Sequence, residues 1–97
     1  MKTYYSDFVN HCLRFYARHP EPTFKSDTEK KNWISCDSVL KGLPETDREM
    51  LTAIYADGDT LPDCVFKQAK ERGIRQDCIW KLIGDVERKI AKRRGLL

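Results

Sequence analysis

Between Arg75 and Lys81 the chain gathers side chains suited to reading another molecule by hydrogen bonding: Arg75, Gln76, Asp77, Trp80 and Lys81. An arginine fork matches the two acceptors of guanine, a glutamine amide matches the donor and acceptor of adenine, and an aspartate accepts from the amino group of cytosine. Lys81 suits a phosphate as well as a base edge. Asp77 is equally placed to orient Arg75. Trp80 follows the apolar Ile79, and a tryptophan there favours packing or an interface over base readout. Farther on, Arg88, Lys89, Lys92, Arg93 and Arg94 form a basic tail. Positive charge at that end suits phosphate, and it also suits the dipole of a helix C-terminus.

Other chemistries lack parts. His11 and His19 have no nucleophile at a recognisable spacing. Asp57-Gly58-Asp59 resembles the start of a calcium loop but lacks the third acidic ligand, the glycine placement and the closing glutamate. No glycine-rich loop could cradle a phosphate. Cys12, Cys36, Cys64 and Cys78 contain no C-x-x-C pair and, with the two histidines, no zinc spacing. Each cysteine lies at or beside an apolar helical position, so free thiols serving as small buried hydrophobes are expected. No catalytic residue, metal or cofactor is expected. A chain of 97 residues buries only about 60–65% of its unfolded surface, too little for a large catalytic cavity.

Charge is unevenly spread. From Pro44 to Phe66, six acids face one basic residue, a net −5. From Lys67 to Leu97, ten basic residues face four acids, a net +6. A basic final third behind an acidic middle suits a nucleic-acid face. The charged fraction of 34% against 40% hydrophobic indicates a folded domain rather than disorder. No signal peptide or membrane span is legible, so the expected location is cytoplasmic, with no membrane partner.

Five helices must position these residues. The first is expected over about Tyr4 to Arg18, with Tyr5, Phe8, Val9, Cys12 and Tyr16 on one face and Pro20 and Pro22 ending it. The second starts at Ser26 with a capping box to Glu29. Trp33, Cys36 and Leu40 line its apolar face with Ile34 beside them, and Gly42 is expected to close it in a left-handed conformation. The third starts near Pro44 with a second capping box, Thr46 to Glu49. Its stripe is Met50, Leu51, Ile54 and Tyr55, and Asp57-Gly58-Asp59 breaks it. The fourth follows Thr60, carries Pro62 in its first turn and stops at Gly73. The fifth runs from Arg75 or Gln76 to Arg93 along the seam Ile79, Leu82, Ile83, Val86 and Ile90.

Three positions link the last two helices. Ala69 is small enough for close helix contact. Gly73 adopts cheaply the positive φ that a tight turn needs. Ile79 is the branched anchor facing back, and Ile74 is expected to plug the core under the turn. That order and spacing fit a helix-turn-helix whose second helix enters the major groove.

The stretch from Leu43 onward resembles region 4, the promoter-recognition module of bacterial sigma-70-type factors. Leu43-Pro44, Arg48-Glu49, Leu51 and Tyr55 match the opening of that module. Ala69, Gly73 and Ile74 match its helix-turn-helix, and Ile79 to Arg94 its long basic helix. Gln68 and Arg72 stand where the family carries apolar residues, and residues 1–42 do not resemble the sigma region that melts promoters.

The expected fold is therefore all-α: a trihelical helix-turn-helix unit over residues 43–97, preceded by a two-helix segment over residues 1–42 that packs or forms an interface, with no wing. The expected function is sequence-specific binding of duplex DNA in transcription regulation. The candidate DNA contacts are Arg75, Gln76, Asp77, Trp80, Lys81, Arg88, Lys92 and Arg93. So few base contacts call for a second one, from RNA polymerase or a like subunit in a homodimer. The alternative is an adaptor that docks on RNA polymerase or another protein without reading DNA.

Overall fold

The computed structural model describes residues 4–21 and 23–97. Five helices follow one another: α1 (Ser6–Arg18), α2 (Asp27–Lys41), α3 (Glu45–Ala56), α4 (Leu61–Arg72) and α5 (Gln76–Arg93). No strand occurs among the described residues. Pro22, expected to help end α1, lies outside them. No helix is long and apolar enough to cross a membrane among those residues. The radius of gyration, 12.9 Å, is that of one compact domain of about 100 residues.

The buried face of α1 is Tyr5, Val9, Cys12 and Leu13. Leu13 takes the place expected of Phe8, which is 39% exposed. Successive residues are about 100° apart around a helix, so Phe8 falls on the flank of the Val9–Leu13 stripe. Phe15 lies on that flank too and stacks on His19, with ring centroids 4.5 Å apart.

Helix α2 begins as its sequence suggests. The Ser26 hydroxyl accepts the Glu29 N–H at 3.1 Å. The Glu29 carboxylate accepts from the Lys25 N–H at 3.3 Å, one residue before the usual reciprocal partner. Cys36, Val39 and Leu40 are buried, whereas Ile34 faces solvent. Trp33 joins α2 to the end of α1, its indole N–H donating to the His19 carbonyl at 2.9 Å. Tyr16 adds a second tie through its hydroxyl, which donates to Asp37 Oδ1 at 2.8 Å.

Two expected helix ends differ. Gly42 sits at φ −79°, ψ −6°, a right-handed conformation. Its N–H donates to Val39 O and that of Leu43 to Leu40 O, so α2 tightens into a short-step turn and needs no left-handed residue. A Cβ at Gly42 would lie 3.4 Å from the Val39 carbonyl, an ordinary contact, so neither backbone nor space requires a glycine there. At α3 the cap is Pro44, with no side-chain cap bond. Thr46 and Glu49 are already inside the helix, so the second capping box does not form. Thr60, in contrast, accepts the Asp63 N–H at 3.4 Å and donates to its carboxylate at 2.9 Å.

The five helices bury one shared cluster, with Val9 and Leu13 from α1, Leu40 from α2, Leu51 and Tyr55 from α3, Val65 from α4 and Ile79 and Ile90 from α5. Each large side chain so buried contributes about 1.5–3 kcal/mol. Helix α1 packs on α2, α3 and α5; α2 also touches α5; α4 packs on α3 and α5. Cys12, Cys36 and Cys64 fill this core as free thiols, but Cys78 is exposed. It falls on the first turn of α5, about 100° around the helix from the buried Ile79. Burial pushes the Cys12 thiol up to about 11 and raises Cys36 and Cys64 in the same direction.

Candidate nucleic-acid interface

The unit that presents Arg75 to Lys81 begins at the end of α4. Ala69, 6% exposed, is buried in the shared core on α4, which packs on α3 and α5. Gly73 adopts φ 66°, ψ 34°, left-handed, and both its N–H and that of Ile74 converge on the Ala69 carbonyl. The chain thereby reverses in the short stretch from Gly73 to Arg75. Ile74 does not plug the core: it is 41% exposed. Its N–H closes the helix end while the reversal carries its side chain to the surface. The anchor is Ile79, wholly buried.

Arg75 is the extended cap residue of α5 and makes no side-chain cap bond. Its guanidinium pairs with Asp77 at 3.1 Å, both side chains 81% exposed. Asp77 thus orients Arg75, one of the two roles open to it from sequence. Gln76 and Lys81 are exposed. Helical spacing aligns Asp77, Lys81, Arg88 and Lys92 along one outward strip. Arg88 leans on Asp85 at 3.2 Å, and Lys92 and Arg93 are exposed near the C-terminal end. Arg94 leaves this group: its Nε donates to Asn32 Oδ1 at 2.7 Å and ties the end of α5 to α2. Trp80 stands apart from the strip. It lines a cleft between α1 and α5.

The acidic connection before α4 is partly neutralised from within. The Lys67 ammonium pairs with Asp59 and, at 3.6 Å, with Asp57. An Arg18 N–H donates to the Asp57 carbonyl at 3.2 Å. The positive charge of Lys67 is therefore engaged, and the outward cations are those of α5 together with Lys70 and Arg72 of α4.

The cleft beside Trp80 was missed by sequence reasoning. Its floor carries Glu87, which sits in the apolar seam among Ile83, Val86 and Ile90 and is only 9% exposed. Gly84 was the available signal, because a glycine inside a helix costs stability and calls for a reason. Among the described residues no three His, Cys, Asp or Glu side chains gather as metal ligands.

No family model, curated protein or solved structure matches this chain.

Proposed function

We propose that the chain binds duplex DNA through α4, the Gly73 turn and α5, acting as a helix-turn-helix regulator of transcription in the manner of sigma region 4. One observation carries the reading. A left-handed Gly73 turn and the buried pair Ala69 and Ile79 are accompanied by exposed Arg75, Gln76 and Lys81 around the start of α5, on the most basic third of the chain. An α-helix fits the major groove, where those side chains distinguish base pairs. Arg88, Lys92 and Arg93 supply phosphate contacts farther along the same helix.

The test is a gel-shift titration of the full chain on duplexes selected from random DNA, repeated across salt. Affinity is expected to fall by roughly 10³ or more between 50 and 200 mM salt if about six phosphates are neutralised. Arg75→Ala is expected to relax preference at one base pair by about 1–3 kcal/mol. Absence of binding at low salt sinks the reading and leaves a protein-docking adaptor.

A further inference from the structure

Between α1 and α5 lies an open cleft of about 660 Å³, lined also by Leu61 and Pro62 of α4. That volume is within the range of small-molecule sites. Three features of α5 make it more than a packing gap. Glu87 places a nearly buried carboxylate on the floor, where it accepts a hydrogen bond from Ser6 at 3.4 Å. Trp80, two turns earlier on the same side of the helix, forms a wall and is 37% exposed. Gly84 lies between them.

Gly84 is the informative residue. It is in mid-helix, where glycine costs about 1 kcal/mol relative to alanine. A Cβ there would meet nothing within 4 Å, so no close helix approach explains the glycine. Its φ is not in the left-handed region. Gly84 lines the cleft, and a longer side chain there would meet open space.

The wall and floor also define the charge of the occupant. A tryptophan face attracts cations. A buried carboxylate is costly until an opposite charge compensates it. Burial raises the Glu87 pKa, the Ser6 hydrogen bond and the positive charge of the terminal ammonium act against it, and the weaker effect of Asp7 adds to the rise. His11 and Arg14 also line the cleft, farther along α1. Along the helix axis the Arg14 backbone is about 12 Å from that of Ser6, which reaches Glu87.

We propose that this cleft binds a small organic ammonium ion, its charge on Glu87 and its apolar body against Trp80. The interaction is independent of whether α5 reads DNA.

Calorimetric titration of the full chain with phenethylamine, 2-phenylethanol and 3-phenylpropionate tests it, because the three probes share a ring and differ in charge. The amine is expected to bind saturably, and at least about tenfold tighter than the alcohol or the acid, as a charge-assisted hydrogen bond implies. Glu87→Gln is expected to remove that preference. Gly84→Leu is expected to fill the space and abolish binding while the far-ultraviolet circular dichroism stays helical. Equal binding of the alcohol, preference for the acid, undiminished amine binding by the Gly84→Leu protein, or no saturable binding at millimolar amine each overturns the proposal.

Discussion

Tyr55 of α3 donates its hydroxyl proton to Asn10 Oδ1 of α1 at 3.0 Å. The ring is almost wholly buried and its hydroxyl stands beside the Glu87 floor, whose negative charge helps raise the tyrosine pKa after burial itself. This bond joins the opening helix to α3, across 45 positions of sequence.

Tyr55→Phe keeps the ring and deletes the donor. It is expected to destabilise the fold by about 0.5–1.5 kcal/mol, the net worth of one such hydrogen bond. Urea unfolding measures it, with a lowered midpoint and an unchanged slope. No shift in midpoint would mean that solvent replaces Asn10 without loss.

Deleting residues 1–42 removes Val9, Leu13, Cys36 and Leu40 from the shared cluster and uncovers the faces of α3 and α5 beneath them. The remaining chain is expected to lose cooperative thermal unfolding. A sharp calorimetric transition in the truncated chain, near that of the whole, would show that α3 to α5 carry a sufficient core alone.

Gly73→Val places a β-branched residue at φ 66°. No atom lies within 4 Å of the new Cβ, so the cost is backbone strain alone, about 1–3 kcal/mol. Gly73→Asn, which tolerates the left-handed region better, is expected to lose less. Equal melting temperatures for the valine and asparagine variants would contradict this account.

Alkaline pH is expected to weaken the fold. An unfolded thiol ionises near 9.0 and an unfolded tyrosine near 10.0. Burial holds the Cys12 thiol up to about 11 and raises Cys36 and Tyr55 further in the same direction. The folded state then keeps protons that the unfolded chain has lost. Stability from these groups is complete below about pH 9 and declines as pH rises above it. Chemical unfolding at stepped pH, with Cys12→Ala and Cys36→Ala as a flatter comparison, measures the slope.

What was legible in the sequence was local. Thr60, Pro62 and Gly73 delimit α4 because a cap, a ring without an N–H and a left-handed turn act within a few residues. Periodicity likewise located the stripe Met50, Leu51, Ile54 and Tyr55, and the exposure of Lys81 follows from its register relative to Ile79, whereas Arg75 and Gln76 are exposed at the very start of α5, one turn before Ile79. What depended on distant neighbours was not legible. Gly42 looked like a left-handed stop, but the next segment leaves α2 in a right-handed turn. Ile74 and Cys78 were assigned to the core from their side chains, although both face outward while Ile79 is buried. Phe8 and Leu13 are equally apolar in a one-dimensional pattern, and only the approach of α3 and α5 chooses between them. Glu87 could not be placed from sequence, because its burial depends on α1, about eighty residues upstream.

The packing of α1 on α5 has a consequence for the order of events during synthesis. Helix α1 is the first of the five to leave the ribosome, yet its face is covered by α2, α3 and α5, and the Ser6–Glu87 contact awaits nearly the last turns of the chain. Until α5 emerges, Val9, Cys12 and Leu13 have only part of their cover, and the closing of a long loop is the step that completes the core.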